Sequence, residues 1–157
     1  MNIKDSMKHN VISIHKNATL YQAAELIIKH HIGTLPVVDD NKKLVGILKM
    51  EDILSIIMPD FVGLTDNYKF LHDFGAFESR RPDLKDLNRP ISEIMEAPIF
   101  AEESWSILHA IATIHTNNLM DLPVVDASGK LVGIASRVDI GTALIANWNI
   151  VDPVKTD

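Results

Sequence analysis

Apolar positions along this chain switch between two rhythms. From Leu20 they recur at helical spacing, so that Leu20, Ala23, Ala24, Ile27 and Ile28 share one predicted face. Thr19 with Gln22 has the form of a capping box opening this helix, and Gly33 is its expected end. Leu35 to Asp39 then reads as a short buried strand, Asp40 to Lys43 as a polar turn, and Leu44 to Leu48 as a second strand. A second helix is expected from Met50 to Met58, halted by Pro59. The order then returns. Ile107, Ala110, Ile111 and Ile114 form a helical face, Leu122 to Asp126 and Leu131 to Ala135 read as strands, and Arg137 to Trp148 as a helix. A short strand ahead of each first helix, near Val11 to Ile14 and Ile99 to Phe100, completes a β-α-β-β-α unit.

The two units repeat in residues as well as in pattern. Leu35-Pro36-Val37-Val38-Asp39 returns as Leu122-Pro123-Val124-Val125-Asp126, and Leu44-Val45-Gly46-Ile47 with Asp52 returns as Leu131-Val132-Gly133-Ile134 with Asp139. The spacing is constant, and 12 of the 19 residues from 35 to 53 are identical to their counterparts. A repeat present only twice is poorly explained as a solenoid and better as two halves of one pseudo-symmetric module. The second helices carry Ile53, Leu54, Ile56 and Ile57, and Ile140, Leu144, Ile145 and Trp148, more apolar surface than one small sheet covers. A two-fold homodimer burying these faces is expected; the other reading is that both helices complete the monomer core.

The predicted organisation is a first repeat over 1–58, an insert over 59–90, a second repeat over 91–150 and a tail over 151–157. The insert holds Phe61, Tyr68, Phe70, Phe74 and Phe77, five of nine aromatics, and is expected to pack on the core. Arg80, Arg81, Lys85 and Arg89 follow. They read either as a solvated stretch or, for Arg80 or Arg81, as a phosphate contact. With 46% hydrophobic residues and no apolar run of membrane-spanning length, a soluble cytoplasmic globule is expected. The absence of cysteine excludes disulfides, thiol catalysis and Cys-ligated zinc. A net charge of −6 argues against nucleic-acid and anionic-membrane partners.

The doubled Leu-Pro-Val-Val-Asp and Leu-Val-Gly-Ile strands, the aspartate after each, and the openings Ile3 to Met7 and Ile91 to Met95 resemble the cystathionine-beta-synthase (CBS) domain family, whose repeats pair as a Bateman module. The resemblance implies a mixed α/β (α+β) fold of two repeats packed through their sheets. It also implies binding of adenosine-containing ligands in clefts between the repeats, with the bound state regulating a partner protein.

The family's ligand motif, Gly-hydrophobic-x-Ser/Thr-x-x-Asp, is matched by Gly133, Ile134, Ser136 and Asp139. Independently of any family, an aspartate three residues after a helix-opening serine lies in the first turn, where its oxygens suit the hydroxyls of a cis-diol. The exposed amides there suit a phosphate, and Arg137 adds charge. Ser136 and Asp139 also have the spacing of a capping box, and the two roles are compatible. In the first repeat Gly46, Ile47 and Asp52 are in place, but Lys49 stands where Ser or Thr belongs. That site is expected to be altered, to prefer a more highly charged ligand, or to be empty. The resemblance further pairs Met7, Val11 and Ile12 with Ile134, Ser136 and Asp139, and Ile99 and Phe100 with Ile47, Lys49 and Asp52. All of these apolar residues are equally compatible with plain core.

Catalysis finds no footing: there is no Gly-rich phosphate loop, no nucleophile elbow and no His-Glu-x-x-His motif. His30 and His31 are adjacent, and His109 and His115 miss a shared helix face, so no metal site is expected. Two readings remain: a stand-alone adenine-nucleotide sensor, and a ligand-independent dimerisation or docking scaffold.

Overall fold

The computed structural model describes residues 1–57 and 81–148. The expected packing of the insert's aromatics and the contact considered for Arg80 lie outside the described residues; Arg81 is exposed. The fold is mixed α+β, with two three-stranded sheets among the described residues, of order β1-β2-β3 and β4-β5-β6.

The first sheet comprises β1 (Ile14–His15), β2 (Thr34–Val38) and β3 (Leu44–Lys49), with α1 (Leu20–His30) and α2 (Met50–Ile57) in the same repeat. The capping box forms: Thr19 Oγ1 accepts from the Gln22 amide at 3.3 Å, and Gln22 Oε1 accepts from the Thr19 amide at 3.0 Å. The helix stops earlier than Gly33, because His31 takes the left-handed conformation at φ 52° and its N–H closes on Ile27 O. Leu20, Ala23 and Ile27 are buried, whereas Ile28 is 72% exposed. At about 100° per residue, Ile28 stands well round the helix from Ile27 and outside the arc of the buried three.

The rest of the described chain contains α3 (Leu84–Leu87), β4 (Ala101–Glu102), α4 (Ile107–Thr116), β5 (Asp121–Val125), β6 (Leu131–Ser136) and α5 (Arg137–Ala146). β4 runs parallel to β5, and β5 antiparallel to β6. Both opening strands sit later than expected: Val11 and Ile12, like Ile99 and Phe100, lie ahead of the ladders, and the strands begin at Ile14 and Ala101. The last helix ends at Ala146, with Asn147 and Trp148 turning back onto Leu144 O and Ile145 O.

Pro36 and Pro123 are fully buried within the middle strands, where a missing N–H ordinarily breaks a ladder. Pro123 faces Ile134 across β5 and β6. Ile134, however, turns its N–H and C=O the other way, exchanging bonds of 3.0 and 2.8 Å with Lys8. Pro123 and Ile134 are therefore a non-hydrogen-bonded pair, and β4 begins to pair only at Val124. Neither neighbouring strand asks for the Pro123 N–H. Ile47 in β3 likewise exchanges both backbone bonds with Glu96.

Those edge bonds reflect how the chain is partitioned. One compact unit gathers Met1–Ile12, the hairpin tip Val38–Leu44 and the chain from Pro98 onward; the other gathers Ser13–Val37 and Val45–Ala97. Each repeat's opening thus belongs to the unit of the other repeat. Ile3 N–H donates to Trp105 O at 2.9 Å, and Ile91 N–H donates to Ala18 O at 2.8 Å. Ile3 and Ile91 are wholly buried, Ile3 in a core with Met7, Ile107, Ile114, Leu122 and Ile140.

Gly133 and Gly46 admit these openings. A Cβ on Gly133 would run into Sδ and Cγ of Met7, and one on Gly46 into the same atoms of Met95. Gly133→Ala is expected to destabilise the fold by about 1–3 kcal/mol through overpacking. In urea titrations, Met7→Ala in the Gly133→Ala background should recover part of that loss, giving a coupling energy that a distant pair would lack.

Candidate functional site

β6 runs directly into α5, and the junction is held by a reciprocal cap. Ser136 Oγ accepts from the Asp139 amide at 3.0 Å, while Asp139 Oδ2 accepts from the Ser136 amide at 2.9 Å and from its hydroxyl at 2.7 Å. The docked opening adds a third donor: Lys8 Nζ lies 3.4 Å from the same Oδ2. Among the described residues no donor meets Oδ1, and the Asp139 side chain remains 22% exposed. The cap therefore uses one oxygen of the carboxylate and leaves the other without a donor among the described residues. Burial pushes the Asp139 pKa up, but the Ser136 hydrogen bonds and the Lys8 charge more than offset it, leaving the carboxyl below its ordinary value.

The other residues expected here are placed as follows. Met7 is buried against the open face of Gly133, and Ile134 carries the edge bonds to Lys8. Val11 and Ile12 are half-buried and belong to the same unit. Arg137 turns toward the α4–β5 connection, where Nη2 donates to Leu119 O at 2.8 Å and lies 3.5 Å from Asn118 Oδ1. Its expected contribution of charge to the site is reduced by that engagement.

The corresponding junction from β3 into α2 is built on other chemistry. Asp52 Oδ2 accepts from the Lys49 amide at 2.7 Å, but no serine hydroxyl joins it. Glu96, on the edge of β3 at Ile47, puts its Oε2 2.9 Å from Lys49 Nζ. The hydrogen bond to Glu96 holds the Lys49 pKa up, and the same bond draws Glu96 below its ordinary value. Asp52 is raised, by burial first and then by the negative charge of Glu96, against the Lys49 backbone hydrogen bond. The lysine is thus ion-paired to Glu96. Ile99 and Phe100, expected beside these residues, belong to the unit of Met1–Ile12, whereas Ile47, Lys49 and Asp52 belong to the other.

Lys8 and Glu96 were not legible as site residues, although a signal exists: each immediately follows the methionine of a matching opening, Met7 and Met95. Among the described residues no group of three or more metal-ligating side chains gathers. His109 instead stacks on Trp105, with ring centroids 3.7 Å apart and planes at 7°. Two open grooves of about 500 Å³ flank α1, one lined by Ser13, His15, Gln22 and Lys29, the other by Ile27, Ile28, Gly33 and Met50; neither includes Asp52 or Asp139.

The two aspartates shift in opposite directions and so give opposite pH signatures. For Asp139, whose folded pKa is depressed, stabilisation is present above the unfolded carboxyl pKa and is lost as pH falls through the folded one. Asp139→Asn should cost about 1–2 kcal/mol at neutral pH, with the difference fading in acid. For Asp52, whose folded pKa is raised, stabilisation is present below the unfolded pKa and is lost as pH rises through the folded one. Asp52→Asn should therefore gain on the wild type as pH rises from acid to neutral. Melting temperatures across that range check both signs.

Comparison with known proteins agrees with this architecture. The family model described as CBS domain matches residues 3–59 and 91–146. Among curated proteins, the chain is 28% identical over 143 residues to the CBS domain-containing protein CBSX1, chloroplastic, of Arabidopsis thaliana, covering 88% of this chain and 61% of that protein. It is 31% identical to an uncharacterized protein, MJ1426, of Methanocaldococcus jannaschii, covering 92% of each. Several relatives are longer: the chain spans 20% of MJ1232 and 22% of an L-aspartate semialdehyde sulfurtransferase, both of M. jannaschii. Among solved structures, CBSX2 in complex with AMP is 26% identical with a TM-score of 0.70, covering 93% of this chain and 97% of that one. The CBS domain pair of MJ0100 in complex with 5′-methylthioadenosine and S-adenosyl-L-methionine is 28% identical with a TM-score of 0.66, covering 94% and 98%. With doubled motifs, doubled sheets and a family model matched on both halves, the chain belongs to the CBS domain family and carries a pair of CBS domains.

Proposed function

We propose that this chain is a regulatory, non-catalytic module that binds an adenosine-containing ligand (AMP, ADP, ATP or S-adenosylmethionine) at the Ser136–Asp139 turn. The observation that carries the reading is the division within one carboxylate: Asp139 Oδ2 caps α5, while Oδ1 meets no donor among the described residues and the side chain is partly exposed. Such an oxygen suits a ribose hydroxyl, and the Lys8 ammonium beside it suits a phosphate. The AMP complex of CBSX2 and the 5′-methylthioadenosine and S-adenosylmethionine complex of MJ0100 support the ligand class.

Regulation follows from which segments meet at this site. Lys8 belongs to the first repeat and Asp139 to the second, so a ligand engaging both strengthens the hold of residues 1–12 on β6 and α5. A ligand that prefers the docked opening shifts the population toward it, and a separate partner protein reads that state. If AMP and ATP compete here, the module senses cellular energy state.

On the second helices Leu54 is 40% and Ile145 46% exposed, and Trp148, just past the end of α5, is 69% exposed. We assign these faces to a homodimer interface, since exposed apolar side chains on the corresponding helices of two repeats favour a two-fold contact.

In a thermal-shift screen, the bound nucleotide at about 100 times its dissociation constant should stabilise the protein by about 2.7 kcal/mol, raising the melting temperature by several degrees. Asp139→Ala should weaken binding roughly 10- to 100-fold through lost charge-assisted hydrogen bonds. Ser106→Ala, which removes the cap on α4, should lower the melting temperature and leave affinity unchanged. An unchanged melting curve with every adenosine compound favours the scaffold reading. Light scattering should give a dimer mass, and Ile145→Glu with Trp148→Glu should give a monomer; a wild-type monomer rejects the interface.

A further inference from the structure

The two junctions match in backbone chemistry but differ in charge. Lys8 and Glu96 occupy equivalent places: each follows an opening methionine, and each exchanges two backbone bonds with the isoleucine of the Gly-Ile pair, Ile134 or Ile47. Among the described residues, the charged side chains in contact around Asp139 are one cation and one anion, Lys8 with Asp139. Around Asp52 they are, among the described residues, one cation and two anions, Lys49 with Glu96 and Asp52, and the cation is already bonded to Glu96 at 2.9 Å. A phosphate approaching Asp139 meets an ammonium whose partner among the described residues is that carboxylate, at 3.4 Å. A phosphate approaching Asp52 meets an excess carboxylate and must break an ion pair to find its counter-charge.

Resting on the adenosine-binding reading above, we propose that the two junctions divide adenosine ligands by charge. The Lys8–Asp139 junction takes phosphorylated adenosines, and the Lys49–Asp52–Glu96 junction takes adenosines whose 5′ group is neutral or cationic, such as a thioether or a sulfonium. Glu96 is the residue that sets this specificity. It excludes phosphate by its own charge and by holding Lys49, while a sulfonium or an uncharged 5′ group brings no repulsion. One chain then reports two classes of adenosine compound at once.

The test is isothermal titration calorimetry of the full chain with AMP and with 5′-methylthioadenosine, on the wild type, Asp139→Ala, Asp52→Ala and Glu96→Gln. Glu96 is about half exposed, so its neutral isostere leaves packing unaltered. The wild type is expected to bind one AMP per chain, lost in Asp139→Ala and retained in Asp52→Ala. 5′-Methylthioadenosine should bind Asp139→Ala and lose that site on addition of Asp52→Ala. In the Asp139→Ala background, Glu96→Gln should create an AMP site at least about tenfold tighter than before. Equal AMP binding at both junctions of the wild type, or an AMP affinity unmoved by Glu96→Gln, overturns the charge division while leaving adenosine binding intact. Failure of both compounds to bind the wild type overturns the adenosine reading itself, and the division with it.

Discussion

The docking of a short opening segment along the outer edge of a strand from the other repeat is the contact on which the rest of this structure depends. Lys8 on Ile134 and Glu96 on Ile47 satisfy backbone groups that an edge strand otherwise leaves open. The same segments drive Ile3 and Ile91 into the cores and lay Met7 and Met95 against glycines that have no Cβ to refuse them. They also explain the buried prolines: because Ile134 looks outward to Lys8, its partner Pro123 is free of the ladder. Packing, strand pairing and the position of a charged side chain beside each aspartate thus share a single origin.

From that frame one motif yields two electrostatic outcomes. Ser136 completes a reciprocal cap and adds a hydroxyl donor to Asp139, whose carboxyl is pulled below its ordinary pKa. Lys49 supplies only its amide to Asp52, and its side chain goes to Glu96, leaving Asp52 raised. A helix start needs just one of the carboxylate oxygens. The two junctions differ in what surrounds the carboxylate.

Much of this was legible in the residues. The doubled Leu-Pro-Val-Val-Asp and Leu-Val-Gly-Ile blocks locate both hairpins, and Thr19 with Gln22 locates the start of α1 to the residue. What escaped was set by long-range contact. Ile28 fits the helical period but not the buried arc, and the end of α1 fell to His31, a residue with no sequence claim on a left-handed turn. The opening strands slid toward Ile14 and Ala101 because only there does a neighbouring strand supply partners. The Ser136–Asp139 cap was legible from spacing alone, whereas the contacts of Lys8 and Glu96 arise only when residue 8 meets residue 134 and residue 96 meets residue 47. Arg137 shows the converse: its charge is adjacent in sequence, yet the Leu119 carbonyl claims it.

The pairing of Lys8 with Ile134 also sets the order in which the protein can be made. During translation Ile3 and Met7 leave the ribosome long before Trp105, Gly133 and Ile134 exist to receive them. High contact order of this kind slows folding, and the nascent chain must carry Ile3 and Met7 without a berth until the second repeat is nearly complete. Synthesis of the first repeat alone therefore yields no finished half: its own sheet edge at Ile47 waits for Glu96, and its opening waits longer still.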